Sequence, residues 1–96
     1  MALYLVQHQH REEVCPTGNV EMMMALGQHV TQENATKFGV KIHSDVVIPG
    51  THHLMMVLEA DSPDKVTSFM LPCLQVGSVT FQEVKTCEEV VRTRKC

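Results

Sequence analysis

Four short apolar segments along the chain predict four β-strands. The segments are residues 2–8, 40–48, 53–60 and 78–84. Their lengths are typical of strands, and the first and third are apolar on both faces, which indicates strands in the middle of a sheet. In the second segment, alternation is expected to place apolar side chains on one face and polar ones on the other. The apolar set is Val40, Ile42, Val46 and Ile48, and the polar set is Lys41, His43 and Asp45.

Helical periodicity predicts a first helix between the first two strands. Over residues 20–30, small and apolar residues recur at the i, i+3, i+4, i+7 spacing of one helix face. They are Val20, Met23, Met24, Gly27 and Val30. Thr31 is a good N-cap for a further short helical turn, which we expect to end near Phe38-Gly39 because glycine is favoured after a helix.

Start and stop signals predict two more helical segments in the second half of the chain. Ser62 followed by Pro63 combines an N-cap with proline at the first helical position. Pro72 is expected to stop or kink this helix. Thr86 and Glu89 have the spacing of a capping box, which predicts a short C-terminal helical turn.

The order of these elements is β-α-β-β-α-β, so we expect an α+β fold of the ferredoxin-like type. In this fold a four-stranded antiparallel sheet carries its helices on one face. We expect a single domain over residues 1–96, with 85–96 as a short C-terminal extension. The other sheet face is then apolar and uncovered, and at about 25 cal/mol per Å² its burial is worth several kcal/mol. A second copy offers a matching face, so we predict a homodimer through the open sheet face.

Composition and charge exclude several functional classes. The chain has 96 residues and a net charge of −3, which argues against a nucleic-acid partner. No apolar run reaches the length of a membrane span, and the N-terminal segment lacks the cationic region of a signal peptide. We therefore expect a cytoplasmic protein with no membrane partner and with reduced thiols.

Histidine and cysteine are the residues that point to chemistry. His8 and His10 lie two residues apart on a predicted strand, so both side chains leave the same face. Cys15 follows across a loop, and His53 opens the third strand, which is expected to pair with the first. We predict that His8, His10, Cys15 and His53 gather at one end of the sheet. Imidazole and thiolate are ligands of zinc, copper and non-haem iron, so this set is the candidate metal site.

The chain also resembles a known group of small proteins. The resemblance rests on Tyr4-Leu5-Val6 with His8 and His10, on Cys15-Pro16, on Gly39-Val40-Lys41-Ile42 and on His53 with Glu59-Ala60-Asp61. These residues are similar to those of small uncharacterised bacterial proteins of the dimeric α+β barrel superfamily. That superfamily includes antibiotic-biosynthesis-type monooxygenases, muconolactone-isomerase-like proteins and haem-handling relatives. The resemblance implies a ferredoxin-like dimer.

Two labels within this group do not transfer to the chain. Some similar short chains are labelled sulfite oxidase, but a molybdopterin domain does not fit in 96 residues. The tryptophan used by the haem-degrading relatives is absent, since the chain has no Trp.

Each candidate residue also has a structural interpretation that the sequence leaves open. In this interpretation, His8 and His10 are exposed residues at a strand end, and Cys15-Pro16 is an ordinary loop element. The methionines at 22–24 and 55–56 are more typical of core packing than of copper binding. Cys73 is expected in the core. Cys87, at the start of the last helical turn, is either reactive or simply packed.

Three functions follow from these interpretations. The first is a small homodimeric protein that binds a transition metal through the His/Cys cluster. The second is a cofactor-independent monooxygenase or isomerase-like enzyme with a pocket for a small hydrophobic molecule. The third is a non-catalytic ligand-binding or assembly module, in which the histidines are structural. Whether the protein is an enzyme stays open at this point, because a fold does not determine a function.

Overall fold

The computed structural model describes all residues from Met1 to Cys96. It has four strands and four α-helices, and two 3-10 turns at Glu12–Val14 and Pro16–Gly18 connect the first strand to the first helix. The strands and helices are β1 Ala2–Gln9, α1 Val20–His29, α2 Gln32–Lys37, β2 Lys41–Ile48, β3 His53–Ala60, α3 Pro63–Leu74, β4 Ser78–Val84 and α4 Cys87–Thr93. None of the helices is both long and apolar enough to cross a bilayer.

The four strands form one antiparallel sheet in the order β2-β3-β1-β4. The central pair is β1 with β3, and its register places Ala2 opposite Ala60 and Gln9 opposite His53. This is the predicted ferredoxin-like arrangement of an α+β fold. It confirms that the two doubly apolar strands lie in the middle of the sheet.

Capping residues fix most of the predicted helix starts. The side chain of Asn19 accepts a hydrogen bond from the backbone N–H of Met22 and begins α1. Thr31 and Thr86 cap α2 and α4 in the same way. Pro72 lies inside α3, which continues to Leu74, so this proline does not stop the helix at once.

The hydrophobic core lies between one face of the sheet and the helices. Eleven buried residues form a single cluster contributed by β1, β3, α2, α3 and the residue before β2. They are Tyr4, Val6, Ala35, Val40, Met56, Leu58, Ala60, Val66, Phe69, Met70 and Cys73. No residue of α4 and none of Leu3, Leu5, Met55 or Val57 belongs to this cluster. The second face of the sheet, which carries these four side chains and is called the open face below, therefore lies outside the core.

The expected facing of β2 is wrong beyond its second residue. The pairing of β2 with β3 is irregular between Ile42 and Ser44, where a β-bulge adds one residue. A bulge of one residue moves every later side chain to the opposite face. Ile42 consequently points towards the helices, whereas Val46 and Ile48 lie on the open face together with Met55.

The methionines of α1 are not packed in the core as expected. Helix α1 has no buried residue, and Met22, Met23 and Met24 are 36%, 38% and 60% exposed. Met56 is fully buried and fits the core interpretation.

Candidate metal centre

Three side chains from separate segments converge at the end of β1. His10 directly follows β1, Cys15 lies between the two 3-10 turns, and His52 lies in the turn between β2 and β3. One ligand atom of each lies within 4.8 Å of the other two. Donor atoms around a tetrahedral zinc ion are separated by about 3.3–3.6 Å, so small rotamer changes bring these three atoms to metal-binding distances.

The imidazole of His10 has no partner within the protein. Both of its ring nitrogens are buried, and neither makes a hydrogen bond. The His10 ring lies between those of His8 and His52, at centroid distances of 5.4 and 5.1 Å. An unpaired buried polar group costs free energy, and coordination of a metal would satisfy one of these nitrogens.

His52 is held beside His10 by an unusual turn. Its φ is +55°, in the left-handed region, and Gly50 has a φ of +79°. The side-chain amide of Gln9 donates hydrogen bonds to the carbonyls of Thr51 at 2.7 Å and His52 at 3.3 Å. The backbone N–H of His10 also donates to the His52 carbonyl, at 3.3 Å. Non-glycine residues rarely adopt this conformation, and such residues are concentrated at functional sites. The left-handed backbone of His52 therefore supports its role as a candidate ligand.

The environment of Cys15 favours the thiolate, which is the form that binds metals. Proline at position 16 restricts Cys15 to extended backbone geometry, as observed with φ −60° and ψ 125°. The Cys15 Sγ lies 3.0 Å from the Thr17 hydroxyl. Hydrogen bonds from the side chain and backbone of Thr17 are the main cause that lowers the pKa of Cys15 to about 6.

His8 lies in the same region but has a different role. It is only 4% exposed, and its Nε2 donates a hydrogen bond to the carbonyl of Cys73, at 2.9 Å. A Cβ at Gly77 would overlap the Gln9 carbonyl oxygen and lie 2.9 Å from the His8 Nε2, so glycine permits the close approach of these elements. Burial lowers the pKa of His8, because desolvation disfavours its charged form.

The structure brings together two of the four residues predicted as ligands. His10 and Cys15 belong to the three-residue group. His8 borders the same cavity, with its Nε2 directed to Cys73. His53 pairs with Ile48 and Gln9 in the sheet and shares the open face with Met55. Its neighbour His52, which sequence reasoning did not select, takes the third position.

A largely apolar cavity borders the three donor residues. Its volume is about 320 Å³, and it lies between the sheet and α1. Met23, Leu26 and Val30 line it from the helix side, and Val47 and Leu54 line it from the sheet. His10, Cys15 and His52 all contribute to its wall, so a metal held by them would face this space.

The other histidines and cysteines make separate contacts. His29 donates to the Phe69 carbonyl at 2.6 Å and thereby joins α1 to α3. His43 lies 2.9 Å from Glu59 across the strand pair. All four cysteines are free thiols, and burial raises the pKa of Cys73, consistent with its predicted place in the core.

Comparison with known proteins does not assign the chain to a family. No family model matches the chain, and no curated protein is similar enough to count as a relative.

Proposed function

We propose that this is a small homodimeric α+β barrel protein that binds a transition metal ion through His10, Cys15 and His52. The observation that carries the proposal is the half-buried imidazole of His10, whose two ring nitrogens are buried and lack hydrogen-bond partners, while donor atoms of Cys15 and His52 lie within 4.8 Å. Two imidazoles and a thiolate favour zinc or copper over hard cations such as magnesium and calcium. Three protein ligands leave one coordination position open.

The adjacent histidines His52 and His53 supply a test, because only His52 belongs to the donor group. Asparagine tolerates a positive φ, so His52→Asn removes the imidazole without straining the turn. His53→Asn is the matched control, because His53 lies outside the donor group. Metal-free protein is titrated with Zn²⁺ by calorimetry and with Co²⁺ by absorption spectroscopy.

We expect one metal ion per chain, and loss of one of three ligands should weaken binding by at least about 100-fold in His52→Asn. His53→Asn should bind as the native protein does. A native protein that binds no ion tightly, or two variants with equal affinities, would overturn the proposal.

The proposed dimer would cover the second face of the sheet. Leu3, Leu5, Met55 and Val57 lie on this face, outside the hydrophobic core. Val46 and Ile48 extend the same surface towards the sheet edge and are 55% and 41% exposed. Contiguous apolar patches on small proteins mark interaction sites, and an identical face on a second copy is complementary in chemistry.

A cofactor-independent enzyme is the second candidate, and the apolar cavity favours it. Such an enzyme needs a pocket for its substrate and a side chain that transfers a proton. His8 borders the cavity, and burial lowers its pKa so that the neutral, basic form dominates near neutral pH. A monooxygenase or isomerase activity that remains after a chelator has removed all metal would favour this candidate over the metal-dependent function.

A further inference from the structure

We propose that the cavity binds a small apolar molecule that carries one anionic donor atom, and that this atom occupies the fourth coordination position of the metal. The inference rests on the proposed metal centre and specifies its ligand. Three properties of the site support it: all three donor residues border the cavity, the bound metal carries a positive charge, and the cavity is small and largely apolar.

The apolar cavity is the space that all three donor residues border. A second depression is lined by His10 and His52 together with Arg11, but not by Cys15. A metal bound by all three donors therefore has its open position towards the cavity lined by Met23 and Leu26. A molecule in this cavity can reach the metal directly.

The charge of the site favours an anion. A divalent metal bound by one thiolate and two neutral imidazoles carries a net charge of about +1. No aspartate, glutamate, lysine or arginine lines the cavity, so the protein supplies no further counter-charge. Apolar walls do not solvate an uncompensated charge, which is therefore costly. An anionic donor such as a carboxylate or thiolate neutralises it.

The remainder of the ligand should be small and apolar. A cavity of about 150 Å³ accommodates benzene, and this one has about 320 Å³. The volume suits a molecule of about ten non-hydrogen atoms. The walls away from the metal are formed by Leu26, Val30 and Leu54, which offer no hydrogen bonds to polar substituents.

Cobalt-substituted protein gives a direct test with simple probes. Phenylacetate joins an anionic carboxylate to an aromatic ring, and phenylmethanethiol supplies a thiolate when its thiol releases a proton to the solvent on coordination. Binding of either probe at the metal should change the visible absorption bands of Co²⁺. Phenylacetamide has the same shape without the charge, and acetate has the charge without the apolar body. We expect at least about tenfold weaker binding for both controls than for phenylacetate, since each loses one of the two interactions.

Two neighbouring substitutions on α1 locate the binding site. Met23 lines the cavity, whereas Met24 does not, and both are partly exposed, so glutamate is tolerated at either position. Met23→Glu adds a negative charge to the cavity and should weaken phenylacetate binding by at least about tenfold. Met24→Glu should bind phenylacetate as the native protein does. Both variants should retain Co²⁺ binding.

The outcomes separate this inference from the metal site itself. If the native protein binds no Co²⁺, the proposed function fails. If Co²⁺ binds but neither phenylacetate nor phenylmethanethiol changes its spectrum, the metal site stands and the ligand inference fails. The ligand inference would also be wrong if phenylacetate and acetate bound with equal affinity, or if Met23→Glu and Met24→Glu bound phenylacetate with equal affinity.

Discussion

The thiol of Cys15 has a strongly altered ionisation, and its reactivity is a direct readout. Thr17 lowers its pKa to about 6, so the metal-free protein should hold a thiolate at neutral pH. Iodoacetamide reacts with thiolates, and the alkylation rate of Cys15 should reach half its maximum near this pH. Thr17→Val removes the hydroxyl and should move the midpoint to higher pH. Peptide-resolved mass spectrometry measures Cys15 separately from the other cysteines.

Thr17→Ser is the control for the effect of the hydroxyl. Serine keeps an O–H donor two residues from Cys15, so its alkylation profile should stay close to that of the native protein. If Thr17→Val and Thr17→Ser have the same midpoint, the hydroxyl does not stabilise the thiolate.

His8 should make the stability of the fold depend on pH. Burial holds the pKa of His8 below 6.5, so the unfolded chain binds a proton at a higher pH than the folded one. The free energy of unfolding is therefore expected to fall as the pH decreases below 6.5. Chemical unfolding of metal-free protein between about pH 7.5 and about pH 5.5 measures this loss without the effect of metal release.

Glutamine separates the titration of His8 from its hydrogen bond. His8→Gln keeps an N–H donor for the Cys73 carbonyl but does not titrate, so its stability should change less across this pH interval. A native slope in His8→Gln would show that His8 does not cause it.

Among the secondary-structure elements, the end of β1 packs closely against Gly77, next to the candidate metal site. An alanine Cβ there would overlap the Gln9 carbonyl oxygen, so Gly77→Ala should lower the free energy of unfolding by about 1–3 kcal/mol. At Gly27, within α1, an added Cβ would meet no atom within 4 Å. Gly27→Ala should raise the free energy of unfolding by about 0.5–1 kcal/mol. Urea unfolding of both variants tests the contrast, and a stable Gly77→Ala would contradict the close approach.

The elements of the fold could be predicted because their signals are local. Short apolar segments identified the strands, and Thr31 and Thr86 marked helix starts that the structure confirms. The bulge after Ile42 could not be predicted, because it depends on how β2 pairs with β3 rather than on any turn residue in β2. One inserted residue then reversed the expected facing of Val46 and Ile48.

The candidate site was predicted in type and place, but not in every residue. His10 was predicted because it shares a strand face with His8, and Cys15 because it follows across a loop. The structure groups these two residues. The third donor depends on the register of β3 and on the left-handed turn at His52. Sequence alternation allows only one of two adjacent strand residues to face a given side. It does not predict that His52 turns towards His10 from outside the strand.

The overall shape reflects a sheet that is covered by helices on one side only. The radius of gyration is 14.3 Å, compared with about 12.5 Å for a typical domain of this length. The smallest extent is only 17 Å, against 46 Å for the largest, which fits one sheet and one layer of helices. Only 13 of 96 residues are buried, so a second layer against the open face would substantially increase the buried apolar area.

A substitution at the centre of the open face tests whether a second copy provides that layer. Val57 lies opposite Leu5 in the middle of the sheet, and it is not part of the core. Val57→Lys should therefore leave the fold intact but bury a lysine charge on each side of the interface. We expect the dimer dissociation constant to rise by at least about 100-fold, since unpaired charges are costly in an apolar interface.

Sedimentation velocity at micromolar concentration measures the effect, with Val20→Lys as the control. Val20 is 74% exposed at the start of α1, away from the open face, so its replacement should leave the dimer unchanged. Circular dichroism shows whether each variant keeps the native secondary structure. A native protein that sediments as a monomer, or a Val57→Lys variant that stays dimeric, would show that the open face is not the interface. In that case the apolar surface around Leu5 would be exposed to water in the native protein, at a free-energy cost proportional to its area.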